Sequence, residues 1–600
     1  MQTPIKNKKV SLGGKIGELT DKITERWLLT ILETNPAIID MIRDAGKEPL
    51  RVLMAWSGEF AGKYLTSAAS ICSLTGDEKL FKYLEGFVDK LCSLQKPDGY
   101  FGTWGEKYRF ESESPVMHYV LEDPSDKKDV NWDTWNHYHI ILGLLTWYDY
   151  TGDEKALLAA KRAADLICRT FYSDSGKKIS DVASPETNIA IIHAMTLLYK
   201  ITKEEKYLRF ALDVADDFEN AGDYIRCALN GTEFFKTPKP RWESLHSIEG
   251  IVGLFEITKD EKYKTAALRL WESITKTDLH NTYGFSTAEE AKGSPFEKGA
   301  IETCCTVAYM ALTADILRIT GDARCADILE KCLLNSGIGS ISPSGRWSTY
   351  DTPVEGYKRA NYHVNGWQSR PGSPDLNCCS VNAPRAIGLL SDWAFTEEDG
   401  SLVINYYGDC RAPLTLSDGR QITVTEKTDY PYDGRIKITV SGAREKLEIK
   451  LRIPSWTKSA AVTADGKTQT AKAGYFTVGS CENIEIELDM TLRFTAGEGE
   501  WENRISVTRG PLLLCLDASF SDEFFPIPTV DPKDFKVSEI SDAPLGGRIF
   551  KCESLQKELT LCDLYTAGVS GRVYTTWLTL PSAKPAPFSE KTLDRSFCIN

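Results

Sequence analysis

From about residue 17 to 395 the apolar positions recur at helical spacing, and the runs are joined by one repeated phrase. Thr75-Gly76-Asp77-Glu78-Lys79 returns as Thr151-Gly152-Asp153-Glu154-Lys155, as Thr202-Lys203-Glu204-Glu205-Lys206, as Thr258-Lys259-Asp260-Glu261-Lys262 and, shortened, as Thr320-Gly321-Asp322. Apolar runs flank each copy, for example Ile140 to Tyr150 before the second and Ala156 to Ile167 after it. The chemistry is that of a helix hairpin. Glycine takes the left-handed conformation that closes one helix, Asp or Thr caps the next, and acidic residues favour its positive end. Spacings of 76, 51, 56 and 62 residues are too irregular for a solenoid of identical units. They suit an α/α toroid whose inner helices carry variable loops on one face.

After about residue 396 the period falls to two. Alternating runs such as Ser401 to Tyr407, Gln421 to Thr425, Arg435 to Ser441, Leu447 to Ile453 and Ile484 to Leu488 are separated by turns at Ser417-Asp418-Gly419, Tyr432-Asp433-Gly434 and Ala464-Asp465-Gly466. Short strands at this spacing predict β-sandwiches. The pattern therefore predicts a multidomain α + β chain in three parts. A toroidal domain spans 13–395, and a β-sandwich spans 396–517 with a strand added from residues 5–12. A second small β-sandwich spans 518–600 and ends in a polar, proline-bearing surface wrap from Ser582 onward.

Six hundred residues exceed one hydrophobic core, in keeping with several domains. A net charge of −14 without any Lys/Arg-rich block argues against nucleic-acid or anionic-membrane partners and is compatible with a neutral ligand such as a sugar. No apolar run reaches signal-peptide length or the ~18–20 residues of a membrane span. Sixteen cysteines scattered along the chain do not form a disulfide framework, so they read as reduced and the protein as cytoplasmic. No motif sets an oligomeric state.

Two cysteine-bearing stretches stand out, Glu302-Thr303-Cys304-Cys305 and Asn377-Cys378-Cys379-Ser380, with Cys304 and Cys378 lying 74 residues apart. Paired thiolates beside a carboxylate suit a borderline-soft divalent ion, zinc first, and a thiolate next to a metal is a nucleophile with a depressed pKa. Neither stretch is a CxxC knuckle, and buried free cysteines are also small hydrophobes, so spacing alone leaves both readings open. Most tryptophans of this half are expected in packing. Trp135, Trp242 and Trp367, flanked by polar loop residues, are candidates for stacking on sugar rings.

Glu302-x-Cys304, followed by a helix and then by Cys378-Cys379-x-x-Asn382-x-x-Arg385, resembles glycoside hydrolase family 127, which contains bacterial β-L-arabinofuranosidases. The likeness extends over most of the chain, to Arg509-Gly510-Pro511-Leu512 and Trp577-Leu578-Thr579-Leu580. It implies an (α/α)6 barrel followed by β-sandwiches, and one Zn²⁺ held by Glu302, Cys304, Cys378 and Cys379. Cys378 would be the nucleophile of a retaining exo-glycosidase acting on a small oligosaccharide or glycoside. The family's acid/base glutamate falls nearest Glu290, with Glu289 and Glu297 beside it. Its substrate-binding histidines match His139 and His246. A third would fall near Asn188, and the family arginine after His246 is Glu249 here. Tyr362, His363 and Arg370, in the loop before Cys378, would shape the pocket together with Trp367. Other readings of the same features are a hydrolase of a different plant-polysaccharide sugar, a sugar epimerase on an α/α barrel, and a carbohydrate-binding protein with structural zinc.

Overall fold

The computed structural model of the chain describes residues 1–5, 9–48, 54–113, 130–174, 176–360, 372–442, 447–521 and 524–598. Six inner segments form a ring: α1 (Glu59–Thr75), α2 (Asp133–Thr151), α3 (Ile191–Thr202), α4 (Ser244–Thr258), α5 (Thr303–Thr320) and α6 (Cys378–Asn382). The last continues through short turns at Arg385–Gly388 and Leu390–Trp393. Each packs on the next in chain order, and α6 packs back on α1, closing the toroid. Buried residues surround α1 and α4 on every side. The outer helices Glu78–Ser93, Glu154–Thr170, Glu205–Ala221 and Glu261–Thr277 bury one stripe and expose the other. The α1–α2 contact depends on glycine. A Cβ on Gly62 would lie 2.2 Å from the His139 carbonyl, and one on Gly143 would lie 2.7 Å from the Gly62 oxygen.

The repeated phrase forms the turn after each of the first five inner helices. The hydroxyls of Thr75, Thr151, Thr202, Thr258 and Thr320 donate to the carbonyl four residues back at 2.6–2.9 Å. Each also accepts the amide two residues ahead at 3.1–3.3 Å. The intervening residue is left-handed, and Asp77, Asp153, Asp260 and Asp322 then cap the outer helix through their carboxylates. Lys203 and Lys259 hold the left-handed position at φ 58° and 59°, where the other copies have glycine. Because a side chain there costs roughly 1 kcal/mol, Lys259→Gly is expected to raise stability by about that amount in urea unfolding. A fall instead would mean that the Lys259 side chain stabilises the turn.

Two sheets follow the ring. The first runs Thr3–Pro4, Phe395–Glu398, Ser401–Ile404, Ile449–Ile453, Gly474–Val478. The second runs Lys467–Ala471, Ala460–Ala464, Asn483–Leu488, Arg435–Ser441, Gln421–Thr428, Cys410–Thr415, Ser11–Leu12. Alternate positions of Gln421–Thr428, Arg435–Ser441 and Asn483–Leu488 are buried, as half-covered strands require. The N-terminus thus supplies two short strands, one to each sheet. A third, nine-stranded sheet takes Leu492–Ala496, Arg504–Arg509 and Leu512–Asp517 together with Lys557–Asp563, Arg548–Ser554 and Lys536–Asp542. Sheet membership therefore changes between Leu488 and Leu492, ahead of residue 517, because Leu492–Ala496 pairs with Arg504–Arg509 and the hairpin at Gly510 (φ 54°) pairs that strand with Leu512–Asp517, which puts three strands in the last sheet. The tail lies along the surface, with Asp594 paired to the buried Lys331 at 3.0 Å.

The ring and the first β unit are pinned by a buried charge network. Arg452 reaches Asp327 at 2.7 Å and Glu330 at 2.5 Å, and the Tyr430 hydroxyl donates to Glu330 at 2.6 Å. Within the sandwich, burial pushes Glu426 up to about 8, although Gly408 N–H donates to it at 2.9 Å. The native protein keeps a proton that the unfolded chain releases, so this group lowers stability as pH rises from about 4.5 to about 8. Glu426→Gln is expected to be near neutral at the acid end and to stabilise by up to about 4 kcal/mol at the basic end. Urea unfolding at the two pH values checks this, and a pH-independent difference would contradict it.

Candidate active site

The N-terminal ends of the inner helices converge at the end of the ring opposite the five turns, and the candidate residues lie there. Glu302 occupies the N-cap position of α5, its side chain free of any capping hydrogen bond, and its position is fixed by a bridge to Asp351 and by Thr303 N–H donating to the Tyr350 carbonyl at 2.8 Å. Cys304 follows in the first turn, at the positive end of an 18-residue helix. Asn377 and Ser380 cap α6 reciprocally at 2.8 and 3.1 Å, so Cys378 and Cys379 are its first two residues.

One ligand atom from each of Glu302, Cys304, Cys378 and Cys379 falls within 4.8 Å of all the others. Cys379 Sγ lies 3.2 Å from Glu302 Oε1 and 3.5 Å from Cys304 Sγ, and Cys378 Sγ lies 3.8 Å from both Cys379 Sγ and Glu302 Oε1. Cys305 Sγ contacts the other Glu302 oxygen at 3.5 Å. Cys304 and Cys379 are fully buried, whereas Cys378 is 4% exposed and lies 3.5 Å from the Tyr350 hydroxyl. Burial pushes the Cys378 and Cys379 thiols and the Glu302 carboxyl well up. Cys304 is held well below the usual thiol range against its burial, by hydrogen bonds from Cys378 and Cys379 and by the Lys63 ammonium. On its own the cluster keeps one thiolate. A divalent metal ion is what would hold three, and this buried donor set can accept one.

Beside the cluster is an ion pair that the sequence reading missed. Lys63 Nζ lies 3.8 Å from Cys304 Sγ and 2.8 Å from Glu59 Oε1, and both side chains are buried on α1. Burial pushes Glu59 up to about 7 despite Lys63. Its other oxygen takes the Trp135 indole N–H. The available signal was a lysine four residues after a glutamate on an otherwise apolar helix. Asp351, also missed, is buried with neither carboxylate oxygen partnered, and burial pushes it up to about 7.

The expected histidines and two of the tryptophans meet here. His139 and His246 have ring centroids 5.4 Å apart, and Trp135 lies against both and against Trp242. Each histidine has a buried Nε2 without a hydrogen-bond partner, and burial lowers both pKa values, so the rings are neutral. Trp135 and Trp242 are themselves buried and pack by their edges, which leaves neither as an open platform. Asn188 is used structurally, accepting the Trp135 amide at 3.0 Å. Glu290 is half-exposed and paired with Lys292 at 2.6 Å, and Glu297 is exposed. Glu289 is the carboxylate whose charge reaches Glu302, Cys305, Tyr350 and Asp351. Tyr362, His363, Trp367 and Arg370 lie outside the described residues.

The chain matches the family model described as the beta-L-arabinofuranosidase, GH127 catalytic domain over residues 36–392 and that of the GH127 middle domain over 401–490. A non-reducing end beta-L-arabinofuranosidase of Bifidobacterium longum subsp. longum is 24% identical over 514 residues, 76% of this chain and 74% of that protein. Among solved structures, a GH127 beta-arabinofuranosidase superposes with a TM-score of 0.78 at 20% identity, over 96% of this chain and 98% of the other. A GH127 beta-L-arabinofuranosidase from Geobacillus stearothermophilus T6 gives 0.73 at 19% identity, over 95% and 100%. These structures share the fold of helical ring and β units, and the catalytic-domain match spans more than half of the sequence. The chain belongs to the GH127 β-L-arabinofuranosidase family and is a glycoside hydrolase.

Proposed function

We propose that this hydrolase is a retaining exo-glycosidase that releases terminal β-L-arabinofuranose, or a closely related furanose, with Cys378 as nucleophile and Glu289 as acid/base. The observation that carries this reading is the convergence of three sulfurs and one carboxylate oxygen on a single point. Thiolates bound to zinc at about 2.3 Å in a tetrahedron sit about 3.8 Å apart. The Cys379–Cys304 and Cys378–Cys379 sulfur separations of 3.5 and 3.8 Å fit that spacing. Zn²⁺ held by Glu302, Cys304, Cys378 and Cys379 would keep the thiolates deprotonated in this buried setting.

Cys378 is the one cluster sulfur with any exposure, which makes it the thiolate that meets the sugar. Its Sγ attacks the anomeric carbon as the bond to the leaving oxygen breaks, and Glu289 gives that oxygen a proton. Water then attacks the same carbon, returns a proton to Glu289 and releases the Cys378 thiolate, so two inversions give retention. Support for Glu289 over Glu290 comes from its reach to the cluster and from its backbone. Ala288 and Glu289 both hold positive φ, 48° and 69°, and strain of this kind is kept where the surroundings enforce a functional orientation. Arg241 is bound at two points by Glu243, at 3.0 and 2.8 Å, so its single 2.9 Å contact with Glu289 is the one free to open. His139 and His246, neutral and with open Nε2 atoms, suit sugar hydroxyls.

A panel of aryl furanosides and pyranosides, run with and without chelator, tests the reading. The β-L-arabinofuranoside is expected to be the best substrate, with activity lost to the chelator and restored by zinc. A pyranoside preference, or indifference to chelation, would contradict it.

A further inference from the structure

Inside the ring, His193 of α3 and His246 and Glu249 of α4 come together. Their ligand atoms lie within 4.8 Å of one another and all three residues are buried. His246 Nδ1 is 2.5 Å and His193 Nδ1 is 3.8 Å from the same oxygen, Glu249 Oε2. The Tyr138 hydroxyl lies 3.0 Å from His193 Nδ1. We infer that His193, His246 and Glu249 form a second metal site, separate from the thiolate cluster, that takes a divalent first-row transition ion.

The donor chemistry is the first argument. Two imidazoles and one carboxylate, with no sulfur, are the ligand set of three-residue zinc and iron(II) sites that keep open coordination positions.

Space is the second argument. His193 and Glu249 line a cavity of about 180 Å³, together with Asp315, Arg318, Arg385 and Asp392. Waters occupying about 30 Å³ each could complete the coordination from that side. Binding has a defined proton balance. The Nδ1 proton that His246 shares with Glu249 moves to Nε2, which has no hydrogen-bond partner, and the Nδ1 lone pair goes to the ion; the Tyr138 hydroxyl turns its proton away from His193 Nδ1, whose lone pair is the second nitrogen donor, and the His246–Glu249 contact widens to about 3 Å to suit ligand distances near 2 Å.

The test is the metal content of the full chain after saturation with zinc or, separately, cobalt(II), followed by desalting and elemental analysis. Two equivalents per chain are expected for the wild type. One is expected for Glu249→Gln and for His193→Ala, with the thiolate-to-cobalt charge-transfer band retained in both. A Cys304→Ala/Cys379→Ala variant is expected to lose that band and keep one equivalent, so failure of the thiolate site and failure of this one are read separately. Saturation of the wild type at one equivalent would overturn the inference, whatever the variants do. So would two equivalents that Glu249→Gln leaves unchanged.

Discussion

Cys378→Ser is expected to lower kcat by at least about 10⁴-fold while the protein stays folded, because removing a covalent nucleophile removes the step on which the other groups act. Glu302, Cys304 and Cys379 remain as three ligands in the variant, so its metal content is expected to stay close to that of the wild type. Cys304→Ser makes the contrast. It deletes the sulfur that hydrogen bonds from Cys378 and Cys379 and the Lys63 ammonium, 3.8 Å away, hold ionised, and leaves Cys378 in place. Its defect is expected to be weaker metal retention, with activity partly recovered in excess zinc, whereas no zinc concentration rescues Cys378→Ser. Turnover on an aryl furanoside, measured beside circular dichroism and metal content, distinguishes the two. Near-wild-type kcat for folded Cys378→Ser would remove it as the nucleophile.

The second large effect concerns proton donation. Glu289→Gln is expected to cost about 10²–10⁴-fold on substrates with a sugar leaving group, the usual contribution of a positioned acid. On nitrophenyl glycosides, whose leaving oxygen needs little protonation, the loss is expected to be much smaller. Glu290→Gln is expected to stay within a few-fold of wild type on both, since its carboxylate is half-exposed and already engaged by Lys292. Comparison of kcat/KM across leaving groups checks this. The reverse ranking of the two variants would return the role to Glu290, and equal losses on both substrate classes would move it to another residue.

The contrast between these neighbours shows what the sequence could and could not carry. The helical ring was legible because its turns are local. Threonine, a left-handed residue and an acidic residue lie within three positions of each other, and each threonine and each aspartate makes the hydrogen bond that its type suggests, Glu204 alone leaving its helix uncapped by its side chain. The cysteine cluster was legible from the two stretches with the family resemblance added. The choice within Glu289-Glu290 was not, because it depends on backbone angles at Ala288 and Glu289 that no local pattern announces. Trp135 looked open among polar neighbours, yet its ring is enclosed by His139, His246 and Trp242, and its indole N–H is taken by Glu59. Glu59 and Lys63 pair within α1 but matter through Trp135 and Cys304 on other helices, and His193 and Glu249 lie on different helices, so only ring closure brings these groups together. The division of the sheets after Leu488 likewise follows from pairing across the chain, between Leu512–Asp517 and Lys557–Asp563, and not from the turn residues themselves.

The account rests on sulfur from α5 and α6 meeting at one metal ion. A diffraction experiment on crystals of the zinc-loaded protein, with anomalous data collected on both sides of the zinc edge, tests this most directly. The predicted result is an anomalous peak about 2.3 Å from the Sγ atoms of Cys304, Cys378 and Cys379 and close to a Glu302 oxygen. An empty map at that position in zinc-saturated, active enzyme would contradict it.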